Sequence, residues 1–192
     1  MRCELTLFDA AGERKYLCAK ELPRFLQAAQ RTDEETFAVC RLLVYTGFRV
    51  SEALALTPRR LDPETGRVVF RTLKRRHSVF RAVPVPPDLI LTLRRIAANR
   101  TKDARLWRWS RQTAWRRVKR VMEAAGIDGA HAMPKGLRHG FGVANAEGNV
   151  PMATTQKWLG HAKLETTAIY QQAVGREEVA LARRVWRNWR AP

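Results

Sequence analysis

In the stretch KGLRH, Lys135, Arg138 and His139 stand three and then one residue apart. If Pro134 opens a helix, where its missing N–H costs nothing, the three fall at i, i+3 and i+4 and project together from one turn. His161 follows Gly160, and Tyr170 lies nine residues further on. Guanidinium, ammonium and imidazole groups gathered around a phenol suit chemistry on a phosphodiester. The cations offset the charge on the phosphate oxygens, and the phenol becomes a nucleophile once its proton has an acceptor.

Such a cluster needs elements that hold it. Leu137, Phe141 and Ala144 recur at i, i+4 and i+7 and are expected to bury a second face of the same helix. Another helix is expected to start at Pro151, carry Trp158 and Leu159 toward the core, and stop at Gly160, which suits a left-handed C-terminal position. His161 then stands at that helix's exit, and a third, shorter helix brings in Tyr170.

The 192 residues, 45% of them hydrophobic, suffice for one domain with its own core. Lys and Arg number 36 against 18 Asp and Glu, a net charge of +18 spread along the whole chain. That balance points to a polyanion partner, with nucleic acid favoured over a membrane, because no stretch approaches the ~20 apolar residues of a spanning helix. No signal-peptide core is visible at the amino terminus. Cys3, Cys18 and Cys40 are odd in number and lack paired metal spacing. They fit a reduced, cytoplasmic compartment, beside the nucleoid, with no disulfide and no structural zinc.

In chain order, residues 1–18 contain two short alternating runs around Ala-Ala-Gly and are expected to form a small hairpin. A helix follows from about Ala19 to Ala29. Asp33 starts a longer one that ends at Gly47, and helix resumes with Ser51 as its N-cap, leaving Arg49 on the tight connection with its guanidinium free to point outward. Residues 62–66 form a turn. Val68 to Thr72 and Val79 to Val83 are expected to pair as a hairpin whose tip, Leu73-Lys74-Arg75-Arg76-His77-Ser78, is almost all cationic; it is either a solvated edge or a basic ribbon reaching into a DNA groove. Residues 87–99 and 110–125 read as amphipathic helices. The second carries Arg111, Arg116, Arg117, Lys119 and Arg120, on a face suited equally to solvent and to the DNA backbone. Residues 177–189 form a last amphipathic helix with Val179, Ala182, Trp186 and Trp189 on one side, to dock in its own domain or on a neighbouring subunit.

Taken together, Thr46-Gly47-Phe48-Arg49-Val50-Ser51-Glu52, Leu137-Arg138-His139, and Leu159-Gly160-His161 with Tyr170 nine residues later resemble, in order, the three boxes of the tyrosine recombinase (phage integrase) family. A strand hairpin ending in Val83-Pro84 lies between the first two, and the resemblance covers roughly Leu17 to Tyr170. It implies a mixed, mainly α catalytic domain with a small antiparallel β-hairpin or sheet, which cuts and rejoins DNA through a covalent 3′-phosphotyrosyl link. By the same resemblance Tyr170 is the nucleophile, Arg49 and Arg138 grip the scissile phosphate, and His161 donates a hydrogen bond to it. His139 assists proton transfer from the tyrosine, Glu52 orients the site from within, and Lys74 protonates the leaving 5′-oxygen. Counting back from Val83-Pro84 also admits Arg75 or Arg76 at that last position, but arginine is too basic to be a convincing proton donor. Arg75, Arg76 and His77 are then expected to contact DNA together with the basic residues between 116 and 120.

The absence of a carboxylate cluster for Mg²⁺ and of a phosphate-cradling glycine loop predicts a reaction without metal, ATP or other cofactor. The chain departs from the family pattern in two places. Lys135 stands where the family usually has histidine, so it supplies charge and hydrogen bonds but is a poorer proton shuttle near neutral pH. The family's amino-terminal helical domain has no counterpart ahead of the first helix, so residues 1–192 are read as a single catalytic domain: hairpin 1–18, core 19–172 and C-terminal helix 173–192. A homo-oligomer assembled on DNA, with a separate clamp-completing or accessory protein as a further partner, follows from the resemblance. The alternative functions are a non-catalytic DNA-binding accessory protein of the same fold and a type IB topoisomerase-like relaxing enzyme.

Overall fold

In the computed structural model, which describes residues 6–72, 79–172, 176–187 and 189, helix α2 (Glu34–Thr46) is buried on nearly every side and supports most of the others. It packs against α1 (Glu21–Gln30), α4 (Pro87–Ala97), α5 (Arg111–Ala124) and α6 (Pro134–Glu147). Both its ends follow from local chemistry. The Asp33 carboxylate accepts the Thr36 N–H at 3.0 Å, and Gly47 closes the helix in the left-handed region at φ 61°.

Helix α3 (Val50–Leu54) begins two residues earlier than expected. Ser51 is its second residue and not its N-cap; Arg49 takes the cap position, and the Glu52 carboxylate accepts the Arg49 N–H at 3.1 Å. Glutamate reaching back to the cap amide outcompetes a serine hydroxyl here because the same carboxylate is buried and needs every donor available.

The expected hairpin is one part of a three-stranded antiparallel sheet in the order β1 (Leu61–Asp62), β2 (Arg67–Thr72), β3 (Val79–Pro84). The extra strand is only two residues long, too short for its alternation to register in the sequence. Val68 pairs with Val83, Phe70 with Arg81 and Thr72 with Val79. The register turns Val68, Phe70, Thr72, Arg81 and Val83 inward, so the hairpin's buried face carries one arginine. The cationic tip, with Lys74, Arg75, Arg76 and His77, lies outside the described residues.

The amino-terminal segment makes a single antiparallel bridge, Phe8 with Arg14, and not a full hairpin over its described part. Its end is fastened by the Arg14–Glu21 ion pair and by the Leu17 N–H donating to the Gly136 carbonyl at 3.2 Å. Helix α6 starts at Pro134 as expected, but its apolar face is broader than Leu137, Phe141 and Ala144. Ala144 is exposed, while Val143 is buried alongside Leu137 and Phe141. The reason is that α6 packs against both α2 and the 3₁₀ turn Ile169–Gln172, with α5 and α7 as further neighbours. Helix α7 (Met152–Leu159) has Pro151 at its N-cap and ends at Gly160, φ 68°, as the sequence predicts. Tyr170 belongs to the 3₁₀ turn that follows the short α8 (Glu165–Ala168), not to a helix of its own. In α9 (Arg176–Arg187) and just beyond it, Val179, Val185, Trp186 and Trp189 are exposed. Among the described residues no helix is long and apolar enough to cross a membrane.

Candidate active site

Four connections converge on one cleft of about 650 Å³: the turn before α3 brings Arg49, α6 brings Lys135, Arg138 and His139, the exit of α7 brings His161, and the last 3₁₀ turn brings Tyr170. The sequence boxes, spread over more than a hundred residues, therefore meet around one space.

Arg138 is the most constrained of these cations. Its Nη1 donates to the Gly47 carbonyl at 2.7 Å and its Nη2 to the Leu159 carbonyl at 2.8 Å. Those acceptors are the residue before the first box's arginine turn and the residue two before His161, so one guanidinium fixes three box segments relative to each other. Burial, followed by repulsion from Arg49, lowers its pKa to about 10, leaving it charged at neutral pH. Arg49 is partly exposed, with Nη1 3.3 Å from the Glu52 carboxylate. Lys135, which also lines the cleft, is exposed.

Tyr170 is only 2% exposed and joins Leu7, Tyr16, Phe141, Val143, Leu159 and Ile169 in a small apolar cluster beside the main core. Gly142 lies under its ring, where a Cβ would come within 2.5 Å of three ring carbons, so α6 can approach this closely only at a glycine. The phenol oxygen lies 3.3 Å from His139 Nδ1, and the His161 ring stacks at 17° to the tyrosine ring. Burial raises the Tyr170 pKa, while Arg138 and Arg49 pull it back down. The phenol is thus protonated at rest and next to a base.

Both imidazoles are neutral at physiological pH. Burial, then Lys135 and Arg138, pushes His139 down to about 4. Burial, then Arg138 and Arg49, pushes His161 down to about 3, and its Nδ1 lies 2.9 Å from the Thr167 hydroxyl. This carries a stability consequence. Unfolded histidine takes up a proton near pH 6.5, whereas these two in the fold do not until about 4 and 3. The unfolded chain thus binds more protons as pH falls, and stability should decline by up to about 1.4 kcal/mol per pH unit for each histidine below 6.5. Burial would raise Glu21, but hydrogen bonds from Arg14, the Cys18 amide and His131 bring it to about 2, so its contribution, full above 4.5, is lost as pH drops toward 2. Urea unfolding at a series of pH values should show a midpoint that falls between pH 7 and 5, and His139→Gln with His161→Gln should flatten that slope. An equally steep decline in the double variant would contradict the assignment.

Three side chains at the site escape a reading by motif. Arg81 on β3 is buried against Glu52. Its signal was its place two residues before Val83, on the alternation that faces the core. Arg111 and Trp115, one turn apart on α5, line the cleft opposite Tyr170, and Trp115 is 43% exposed. The other basic residues of α5 divide. Arg116 and Arg120 are exposed and Lys119 half-buried, whereas Arg117 is not a free contact: its guanidinium bonds Asp33 at 2.6 Å and Thr36 at 2.7 Å and lies over the Trp109 ring at 4.3 Å. Arg117 joins α5 to the start of α2, because an acidic N-cap within reach outcompetes solvent.

The chain is 30% identical to the tyrosine recombinase XerA of Saccharolobus solfataricus over 162 residues, 84% of this chain and 53% of that protein. It is 36% identical to the tyrosine recombinase XerD of Mycobacterium tuberculosis over 148 residues, 69% of this chain and 46% of that one. It thus spans about half the length of these relatives. A crystal structure of the XerH site-specific recombinase bound to palindromic difH substrate superposes on 93% of this chain, covering 56% of that one, with a TM-score of 0.79 at 22% identity. Its fold is therefore the one described above. The phage integrase family model matches residues 15–176, a stretch that contains every segment meeting at the cleft, and on that match the chain belongs to the phage integrase family.

Proposed function

We propose that this chain is the catalytic domain of a site-specific DNA recombinase that cleaves and rejoins strands through a 3′-phosphotyrosyl intermediate. The observation that carries the reading is the Tyr170 hydroxyl 3.3 Å from the neutral His139, in a cleft shared with Arg49, Arg138 and His161. A phenol needs a proton acceptor and nearby cations to attack a phosphodiester, and both are in place.

In the proposed reaction the Tyr170 oxygen forms a bond to the scissile phosphorus as its proton moves to His139. The bond from phosphorus to the 5′-oxygen breaks, and that oxygen takes its proton from Lys74 on the hairpin tip. Arg49 and Arg138 offset the charge on the non-bridging oxygens. His161, with the Thr167 hydroxyl donating to Nδ1, keeps its own proton on Nε2 to donate to the same phosphate. Lys135 adds charge to the cleft, and Glu52 orients the site from beneath. Rejoining is the reverse attack by a 5′-hydroxyl, so the phosphotyrosyl bond conserves the energy and neither metal nor ATP enters the balance. Double-stranded DNA is the substrate, met in the cytoplasm at the nucleoid. Arg75, Arg76 and His77 on the hairpin, with Arg116, Lys119 and Arg120 on α5, supply further DNA contacts. The exposed Trp186 and Trp189 favour assembly of copies on DNA, with a clamp-completing or accessory protein as a further partner.

The test is a covalent trap. Duplexes nicked near the cleavage position, drawn from the DNA around the protein's own coding region, are incubated with it and denatured. A protein–DNA adduct that maps to the peptide containing Tyr170 is expected. Salt-sensitive binding with no adduct on any duplex would assign the chain instead to a DNA-binding accessory role, the outcome that lysine at position 135 would favour. Relaxation of supercoiled DNA with no joining of two sites would assign it a topoisomerase role.

A further inference from the structure

Glu52 has no exposed side-chain surface and is held from three directions. Arg81 Nη2 donates to Oε2 at 2.7 Å, the Arg49 amide donates to the same oxygen at 3.1 Å, and Arg49 Nη1 reaches Oε1 only at 3.3 Å. Arg81 is as deeply placed, its side chain 3% exposed, and its remaining donors are also used. Nη1 bonds the Thr72 hydroxyl at 2.6 Å, Nε bonds the Trp158 carbonyl at 2.8 Å, and the guanidinium lies over the Phe48 ring at 4.5 Å. Arg81 and Arg138 thus hold the consecutive carbonyls of Trp158 and Leu159 at the end of α7, three and two residues before His161. Burial lowers the Arg81 pKa while Glu52 raises it.

We infer that Arg81 is a positioning residue whose charge satisfies Glu52, so that the Arg49 guanidinium beside it keeps only its 3.3 Å contact to that carboxylate and can turn its other donors to a DNA phosphate. The inference rests on the proposed reaction only in taking Arg49 as a phosphate contact. A buried carboxylate with one strong partner removed draws in the nearest cation, because its desolvation is otherwise uncompensated. Arg49 is that cation, its amide already anchored to the same carboxylate, and a bidentate pair with Glu52 would withdraw it from the cleft. Arg81 itself is too deep to touch DNA. Its loss should therefore appear as a missing phosphate contact made by another residue, and that loss should vanish when the Glu52 charge is removed too.

Equilibrium binding to a nicked duplex, measured over a range of salt with Tyr170→Phe throughout so that no strand is cut, reads the number of phosphate contacts. Arg81→Met should reduce the slope of log affinity against log salt by about 0.9, one contact. Adding Glu52→Gln should restore it, and Arg81→Lys, which keeps the charge but not the full set of bonds, should retain the original slope. With Tyr170 present, adduct formation should fall ~10²–10³-fold in Arg81→Met, the usual cost of one electrostatic donor, and recover in large part with Glu52→Gln. An unchanged slope in Arg81→Met, the same loss with and without Glu52→Gln, or a lost contact in Arg81→Lys would overturn the inference. If Arg81→Met fails to fold, Arg81→Lys carries the test. No adduct from the wild-type protein would overturn the proposed reaction and leave the salt slopes to decide on Arg81; absence of duplex binding would overturn both.

Discussion

Tyr170→Phe is expected to abolish the covalent adduct completely while leaving duplex binding and the fold almost unchanged. The variant removes one oxygen from a ring that is otherwise held by packing, between Gly142 below and His161 alongside. The hydrogen bond lost with it, to His139 at 3.3 Å, is long, and a bond of that kind contributes only about 0.5–1.5 kcal/mol. The phenol is buried and neutral, so it contributes nothing to the counterion release that drives salt-dependent binding. Chemistry and binding should thus separate cleanly. The adduct assay on a nicked duplex and a binding isotherm at one salt concentration, run on the same preparation, measure both. Adduct formed by the Phe variant would mean that another nucleophile cuts the strand. A large loss of binding would mean that Tyr170 supports the cleft and does not act in it.

Arg138→Lys should be nearly as damaging to cleavage and, unlike the tyrosine change, should also weaken the fold. The guanidinium bridges the Gly47 and Leu159 carbonyls across a buried gap, and a lysine ammonium is a single point that cannot span both at bonding distance. One carbonyl is then left buried without a donor, at a cost of about 1–3 kcal/mol. The chemical loss is separate. A fixed planar fork aimed at the developing charge is replaced by a mobile ammonium, which should slow adduct formation ~10²–10³-fold. Single-turnover cleavage at saturating protein isolates that step from binding, and urea unfolding of the same variant reports the structural cost. Cleavage within a factor of a few of the wild type would show that Arg138 is only a brace between the Gly47 turn and the α7 exit.

The two variants differ because the two residues are held differently. Tyr170 is placed by an apolar cluster that survives loss of a hydroxyl. Arg138 is itself part of what places its neighbours, so the site's geometry and its charge rest on one side chain. The arrangement leaves Arg49, partly exposed and with a single long contact to Glu52, as the adjustable member of the pair.

Much of this site was legible in the sequence because its positioning elements are local. Asp33 and Gly47 bound α2, Pro134 starts α6, and Gly160 ends α7 by short-range backbone chemistry that no tertiary contact overrides. With those ends set, Arg49, Arg138, His139 and His161 occupy the turn, helix face and helix exit that spacing predicts, while Tyr170 stands on a 3₁₀ turn where a short helix was expected. The tertiary structure decided what depends on a distant partner. Ala144 is exposed and Val143 buried because α6 packs against both α2 and the last 3₁₀ turn, and the two-residue β1 exists only by pairing with β2. Glu52, and not Ser51, completes the cap of α3 because its carboxylate is buried among arginines. Arg117 is drawn to Asp33, across 84 residues of sequence. Arg81 is the clearest case. A strand arginine with no motif around it becomes the strongest partner of Glu52 because the sheet register turns it inward beneath the first box, and the low polarity there makes an ion pair obligatory where water would have made it optional.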